Sequence, residues 1–115
     1  MSISSGKYGE KIALDYLINN GYKIIEKNFR TKYGEIDIIA EKDNFIIFVE
    51  VKYRTNPNFG KAEESITKRK LEKIRKVAGY FLRNFKVKNK RLRIDVIAIN
   101  DFNNVKLTHY KNVFF

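Results

Sequence analysis

The run NFIIFVEVKY, residues 44–53, constrains the fold more than any other stretch. Side chains of an extended chain alternate between two faces. Ile46, Phe48, Glu50 and Lys52 therefore share one face, and Phe45, Ile47, Val49, Val51 and Tyr53 the other. Apolar residues on both faces belong to a central strand with cover above and below. Yet this strand ends with Glu50 and Lys52 two positions apart on one face. Burying charge without a partner is costly, so the pair needs a local reason.

Its neighbours in sequence supply the rest of a sheet. GEIDIIAE, residues 34–41, alternates, with Glu35, Asp37 and Ile39 on one face and Ile36, Ile38 and Ala40 on the other. The polar turn Glu41-Lys42-Asp43-Asn44 joins it to the central strand. YKIIEKNFR before it, RLRIDVIAI at residues 91–99 and a short run near Val105–Tyr110 read as further strands. Two helices flank them. The first begins near Ser4 or Ser5, carries Ala13, Leu14, Leu17 and Ile18 at helical spacing, and ends at Gly21. The second is capped by Thr67 and buries Leu71, Ile74, Val77, Ala78 and Phe81. The order helix, three strands, helix, strand, strand predicts an α/β fold with a mixed central sheet flanked by helices.

A length of 115 residues, 43% of them apolar, suits a single domain over residues 1–115. Without cysteine there are no disulfides or thiolate metal sites, and a cytoplasmic protein is the simplest reading. His109 is the only histidine, which excludes zinc sites built on several imidazoles and leaves oxygen-ligand metal sites open. No run reaches the roughly 18 apolar residues of a membrane span, and no signal-peptide core is visible. The net charge of +11 is concentrated: residues 61–93 hold 13 Lys/Arg against 3 Asp/Glu. Such a block attracts a polyanion, and nucleic acid is the expected partner through Lys68, Arg69, Lys70, Lys73, Arg75 and Lys76. A solvated helix followed by a basic loop is the plain alternative.

Three observations point to chemistry. Glu10 falls on the apolar face of the first helix. Asp37 lies within the apolar run of one strand, and Glu50 and Lys52 lie on the next. If those strands pair as a hairpin, Asp37 and Glu50 approach each other and repel unless a cation sits between them. A hard ion such as Mg²⁺ or Mn²⁺ suits Asp37, Glu50 and the Val51 carbonyl as oxygen ligands. Lys52 beside it is placed to orient a water or stabilise a phosphorane-like charge during phosphodiester hydrolysis. Taken singly the signals are weak. A Glu-x-Lys pair on a strand is commonly a surface ion pair, Glu35 reads as a supporting acid, and Asp95 reads equally as a site residue or as the partner of an arginine.

GEIDIIA followed closely by FVEVKYR resembles the signature of the YraN-type family of predicted endonucleases, a branch of the PD-(D/E)xK superfamily similar to archaeal Holliday junction resolvases. Gly6–Glu10, Gly21-Tyr22, Asn28-Phe29-Arg30 and the IDVIAI run at residues 94–99 extend the resemblance over nearly the whole chain. It implies a restriction-endonuclease-like αβββαβ core. It implies Asp37 and Glu50 as metal carboxylates, Lys52 as catalytic lysine, Glu10 as an assisting acid and Lys70 as a phosphate contact. It also implies a metal-dependent endonuclease acting on DNA, branched or otherwise structured, and a homodimer by analogy. A nucleic-acid-binding module on the same fold without catalysis is the alternative.

Overall fold

Each hydrophobic period in the sequence becomes one element. The computed structural model describes residues 5–113. Helix α1 spans Ser5–Asn19, strands β1, β2 and β3 span Lys23–Thr31, Gly34–Lys42 and Phe45–Arg54, helix α2 spans Lys68–Asn84, and β4 and β5 span Arg91–Asp101 and Val105–Tyr110. The strands lie in sequence order in one five-stranded sheet. All neighbours are antiparallel except β3 and β4, which run parallel from Phe45↔Arg91 to Arg54↔Asn100. A parallel neighbour requires a crossover, and α2 supplies it.

Local chemistry sets the boundaries. Gly21 adopts φ 85°, and the Tyr22 N–H reaches back to the Leu17 carbonyl, closing α1. Ser5 is the first helical residue, and Ser4 lies outside the described residues. Asp43 and Asn44, at φ 51° and 69°, form the two-residue turn between β2 and β3, which favours residues tolerant of positive φ. Thr67 Oγ1 accepts the Lys70 N–H at 3.2 Å and caps α2. Residues 55–66 make two short 3₁₀ turns. The second is fastened to β4, where Asn100 accepts the Ala62 N–H and donates to Glu63, each at 2.8 Å.

The sheet separates two cores. On one side Ala13 and Leu17 of α1 pack on Ile38, Ala40, Ile47, Val49, Ile97 and Ile99. On the other, Ile74, Val77, Ala78 and Phe81 of α2 pack on Ile36, Ile39, Ile46, Phe48 and Ile94. The central strand is buried on both faces, as its composition requires. Two expectations fail. Ile18 is 56% exposed rather than part of the α1 stripe. Ile36 does not face with Ile38 and Ala40; it joins Ile39 on the α2 side. The strict alternation breaks between Ile36 and Ile38, where Asn28 of β1 takes φ 52°. Lys27↔Ile38 and Phe29↔Ile36 flank this point, so Asn28 stands opposite Asp37.

Asp95 belongs to the structure of the α1 side. Its fully buried carboxylate takes Arg93 Nε at 3.0 Å, His109 Nε2 at 2.7 Å and the Asn112 N–H at 2.9 Å. His109 Nδ1 meets the Tyr16 hydroxyl at 2.9 Å, and Arg93 donates to the Tyr22 hydroxyl at 3.0 Å. Burial alone would raise the Asp95 pKa. Hydrogen bonds from His109, Asn112 and Arg93 outweigh it and hold the carboxyl below its ordinary value.

Candidate active site

The β2–β3 ladder stops at Ile38↔Val49. One more rung would set Asp37 against Glu50 as an ordinary cross-strand pair. Instead Asp37 Oδ2 accepts the Val51 N–H at 2.8 Å, so its side chain takes over a donor of β3 where the hairpin opens. Glu50 lines the same pocket, close enough for its charge to bear on Asp37. Around this pair lies a polar pocket of about 380 Å³ lined by Gly6, Glu10, Glu35, Asp37, Glu50, Val51, Lys52 and Tyr53.

Burial first, then the hydrogen bond and negative charge of Glu50, push the Asp37 pKa up to about 8. The Val51 N–H and the Lys52 ammonium act in the opposite direction without prevailing. The Asp37 carboxyl therefore keeps its proton at neutral pH. Glu10 enters from α1. Burial and then the charge of Asp37 raise its pKa, against a hydrogen bond from the Asn28 side chain. Glu35 is exposed and paired with Arg30 at 2.8 Å on the rim.

Helix α1 reaches the pocket because Gly9 lets it. A Cβ on Gly9 would lie 2.6 Å from Tyr53 Cβ, closer than carbon atoms pack. Gly6, by contrast, has nothing within 4 Å of such a Cβ. The Tyr8 ring meets Tyr53 edge-on at 5.7 Å on the same contact. Glycine at position 9 thus fixes how near Glu10 comes to β3.

Lys70, at the start of α2, faces Lys52. The neighbouring ammonium first, and burial second, lower the Lys70 pKa, while Glu50 pulls the other way. Arg54 adds positive charge to the same locality. Of the other basic residues expected at an interface, Arg75 and Lys76 line a separate cleft with Tyr33, Gly79 and Arg83. Lys68, Arg69 and Lys73 are exposed on α2 and line neither.

The structure therefore brings Glu10, Asp37, Glu50, Val51, Lys52 and Lys70 to one locality. Sequence reasoning missed Asn28 as a neighbour acting on Glu10, and the close contact at Gly9. The signal for Asn28 is its residue type, since asparagine tolerates the left-handed backbone that breaks β1. Among the described residues, no group of three or more His, Asp or Glu side chains converges to hold a metal alone. The chemistry here is a pair of hard carboxyl oxygens that repel when both are ionised. A small divalent cation relieves that repulsion, and Mg²⁺ commonly takes one or two carboxylates and keeps water for its remaining positions. The residues fit such an ion.

A mixed sheet covered on both faces, opening at one hairpin onto a carboxylate–lysine pocket, defines the class of protein. The chain belongs to the family described as "Uncharacterised protein family UPF0102", which it matches over residues 9–99. It is 52% identical to a UPF0102 protein of Thermodesulfovibrio yellowstonii, over 98% of this chain and 97% of the relative. A UPF0102 protein of Sulfurihydrogenibium is 50% identical over 95% and 92%. One from Clostridioides difficile is 45% identical over 95% of each chain. The matched span contains every residue of the pocket except Gly6.

Proposed function

We propose that the chain is a metal-dependent endonuclease of the PD-(D/E)xK type, with a restriction-endonuclease-like core, hydrolysing phosphodiester bonds of branched or otherwise structured DNA in the cytoplasm. The observation that carries the reading is the meeting of Asp37 and Glu50 in one pocket where the hairpin opens, with Lys52 beside them. Asp37, Glu50 and the Val51 carbonyl would hold Mg²⁺ or Mn²⁺, and the ion when bound would supply Lewis-acid chemistry. Lys52 would orient the attacking water and stabilise negative charge developing on the phosphoryl oxygens. Glu10 would accept a proton from water entering on the α1 side. Lys70, beside Lys52, would bind a phosphate next to the scissile one, and the basic face of α2 would hold the strand. Two copies pairing as a homodimer would suit a two-stranded branched substrate.

One observation favours a second reading, a non-catalytic DNA-binding module: among the described residues, no three acidic or histidine side chains converge closely enough to hold a metal by themselves. A cleavage screen over junctions, flaps, single strands and duplexes with Mg²⁺ and Mn²⁺ separates the two. The proposal expects at least one form to be cut, with cutting abolished in Asp37→Ala and Glu50→Ala proteins that remain folded. Metal-independent, salt-sensitive binding without cutting would establish the module instead.

A further inference from the structure

Resting on the nucleic-acid reading of the pocket, we infer that the cleft between the β1–β2 turn and α2 holds an unpaired nucleotide within a few nucleotides of the cleaved bond. The substrate then has a single-stranded segment near the cut, not a continuous duplex. The cleft measures about 450 Å³ and is lined by Tyr33, Arg75, Lys76, Gly79 and Arg83. That volume falls in the range of small-ligand sites. Its composition is one aromatic ring and three cations around a glycine. An aromatic platform for a base combined with cations for its phosphates is the arrangement that single-strand-binding surfaces use.

Three features favour this occupant. Tyr33 is 44% exposed at the tip of a turn, where a ring serves no core. The Lys32 ammonium stands 5.3 Å from its centroid, so the ring already attracts a cation and sits in positive surroundings. Gly79 forms part of the cleft with the Arg83 guanidinium folded over it, 3.3 Å from where a Cβ would be. The cleft is also tied to the pocket by covalent chain. Tyr33 precedes Glu35 of the pocket lining by two residues, at most about 7 Å of extended backbone. Asp37 follows Tyr33 by four residues, so at most about 14 Å of extended backbone separates the cleft from the carboxylates, a span of a few nucleotides. A duplex keeps its bases stacked on one another and offers no free face to Tyr33.

The test is binding in EDTA, so that cutting plays no part. Labelled single-stranded DNA of roughly 12 nucleotides, within the reach of one such surface, is compared by anisotropy with a blunt duplex of equal length. Tyr33→Ala is expected to weaken single-strand binding roughly tenfold and leave the duplex unchanged, with Tyr33→Phe restoring affinity. The chain has no tryptophan, so Tyr33→Trp installs a unique fluorophore, expected to be quenched by the single strand and not by the duplex. Equal affinity of Tyr33→Ala and the parent for the single strand overturns the inference, as does an equal loss on both ligands. If the parent binds neither DNA, the nucleic-acid reading falls with it. If Tyr33 governs single-strand binding but no DNA is cut with metal, the inference stands and the endonuclease reading fails.

Discussion

Replacing Asp37 by Asn should stabilise the metal-free protein, and by an amount that depends on pH. The Asp37 carboxyl ordinarily titrates at 3.8, and in the folded chain it is pushed up to about 8. Between those values the folded state holds a proton that the unfolded chain has released, so stability falls as pH rises from about 4 and levels off above about 8. At pH 7 the separation corresponds to about 4 kcal/mol. The pocket can relax and admit water around the charged form, so about 2–4 kcal/mol is the expected gain. Asn has nearly the same shape, keeps an oxygen for the Val51 N–H, and never ionises. Urea unfolding in EDTA should show the variant and parent nearly equal near pH 4. The variant should exceed the parent by this amount at pH 7.5, with unchanged m-values. Adding Mg²⁺ should then stabilise only the parent, by mass action. A variant less stable than the parent at pH 7.5, or a difference that is constant across pH, would refute the reasoning.

Other perturbations have equally definite outcomes. Asp95→Ala leaves Arg93 and His109 without their buried partner and should cost about 3–5 kcal/mol in chemical denaturation. Because the Asp95 pKa is lowered, its contribution is present above about pH 4 and is lost as acid protonates it, so parent and variant should converge at low pH. Gly9→Ala drives a methyl into Tyr53, and should lower thermal stability by about 1–3 kcal/mol and reduce any cleavage rate as Glu10 moves away. Lys70→Ala should weaken binding to all DNA sequences alike and reduce the salt slope by about one, measured by anisotropy across salt concentrations.

Much of this architecture was legible because periodicity is local. The buried faces of β3 and α2, the Thr67 cap and the Gly21 stop all follow from residues within a few positions of one another. The approach of Asp37 to Glu50 follows from counting back along a hairpin from Asp43-Asn44. Periodicity fails where it assumes a regular pleat. The left-handed Asn28 turns the chain opposite Asp37, and Ile36 changes sides with it. Ile18 is exposed although Leu17 beside it is fully buried, because it sits one turn after half-buried Leu14 at the edge of the stripe that Ala13 and Leu17 centre. The Asp95–His109–Tyr16 network joins residues up to 93 positions apart, which no local pattern encodes. Gly9 is likewise silent in sequence, since its role is set by Tyr53 on another element.

Divalent-cation titration tests the central claim most directly. Calorimetry with Mn²⁺ at pH 8, where the Asp37 proton is about half released, should reveal one site in the parent protein. That site should disappear in Asp37→Ala and in Glu50→Ala, with circular dichroism unchanged. A parent that binds no divalent ion, or a site that survives both substitutions, would contradict the account.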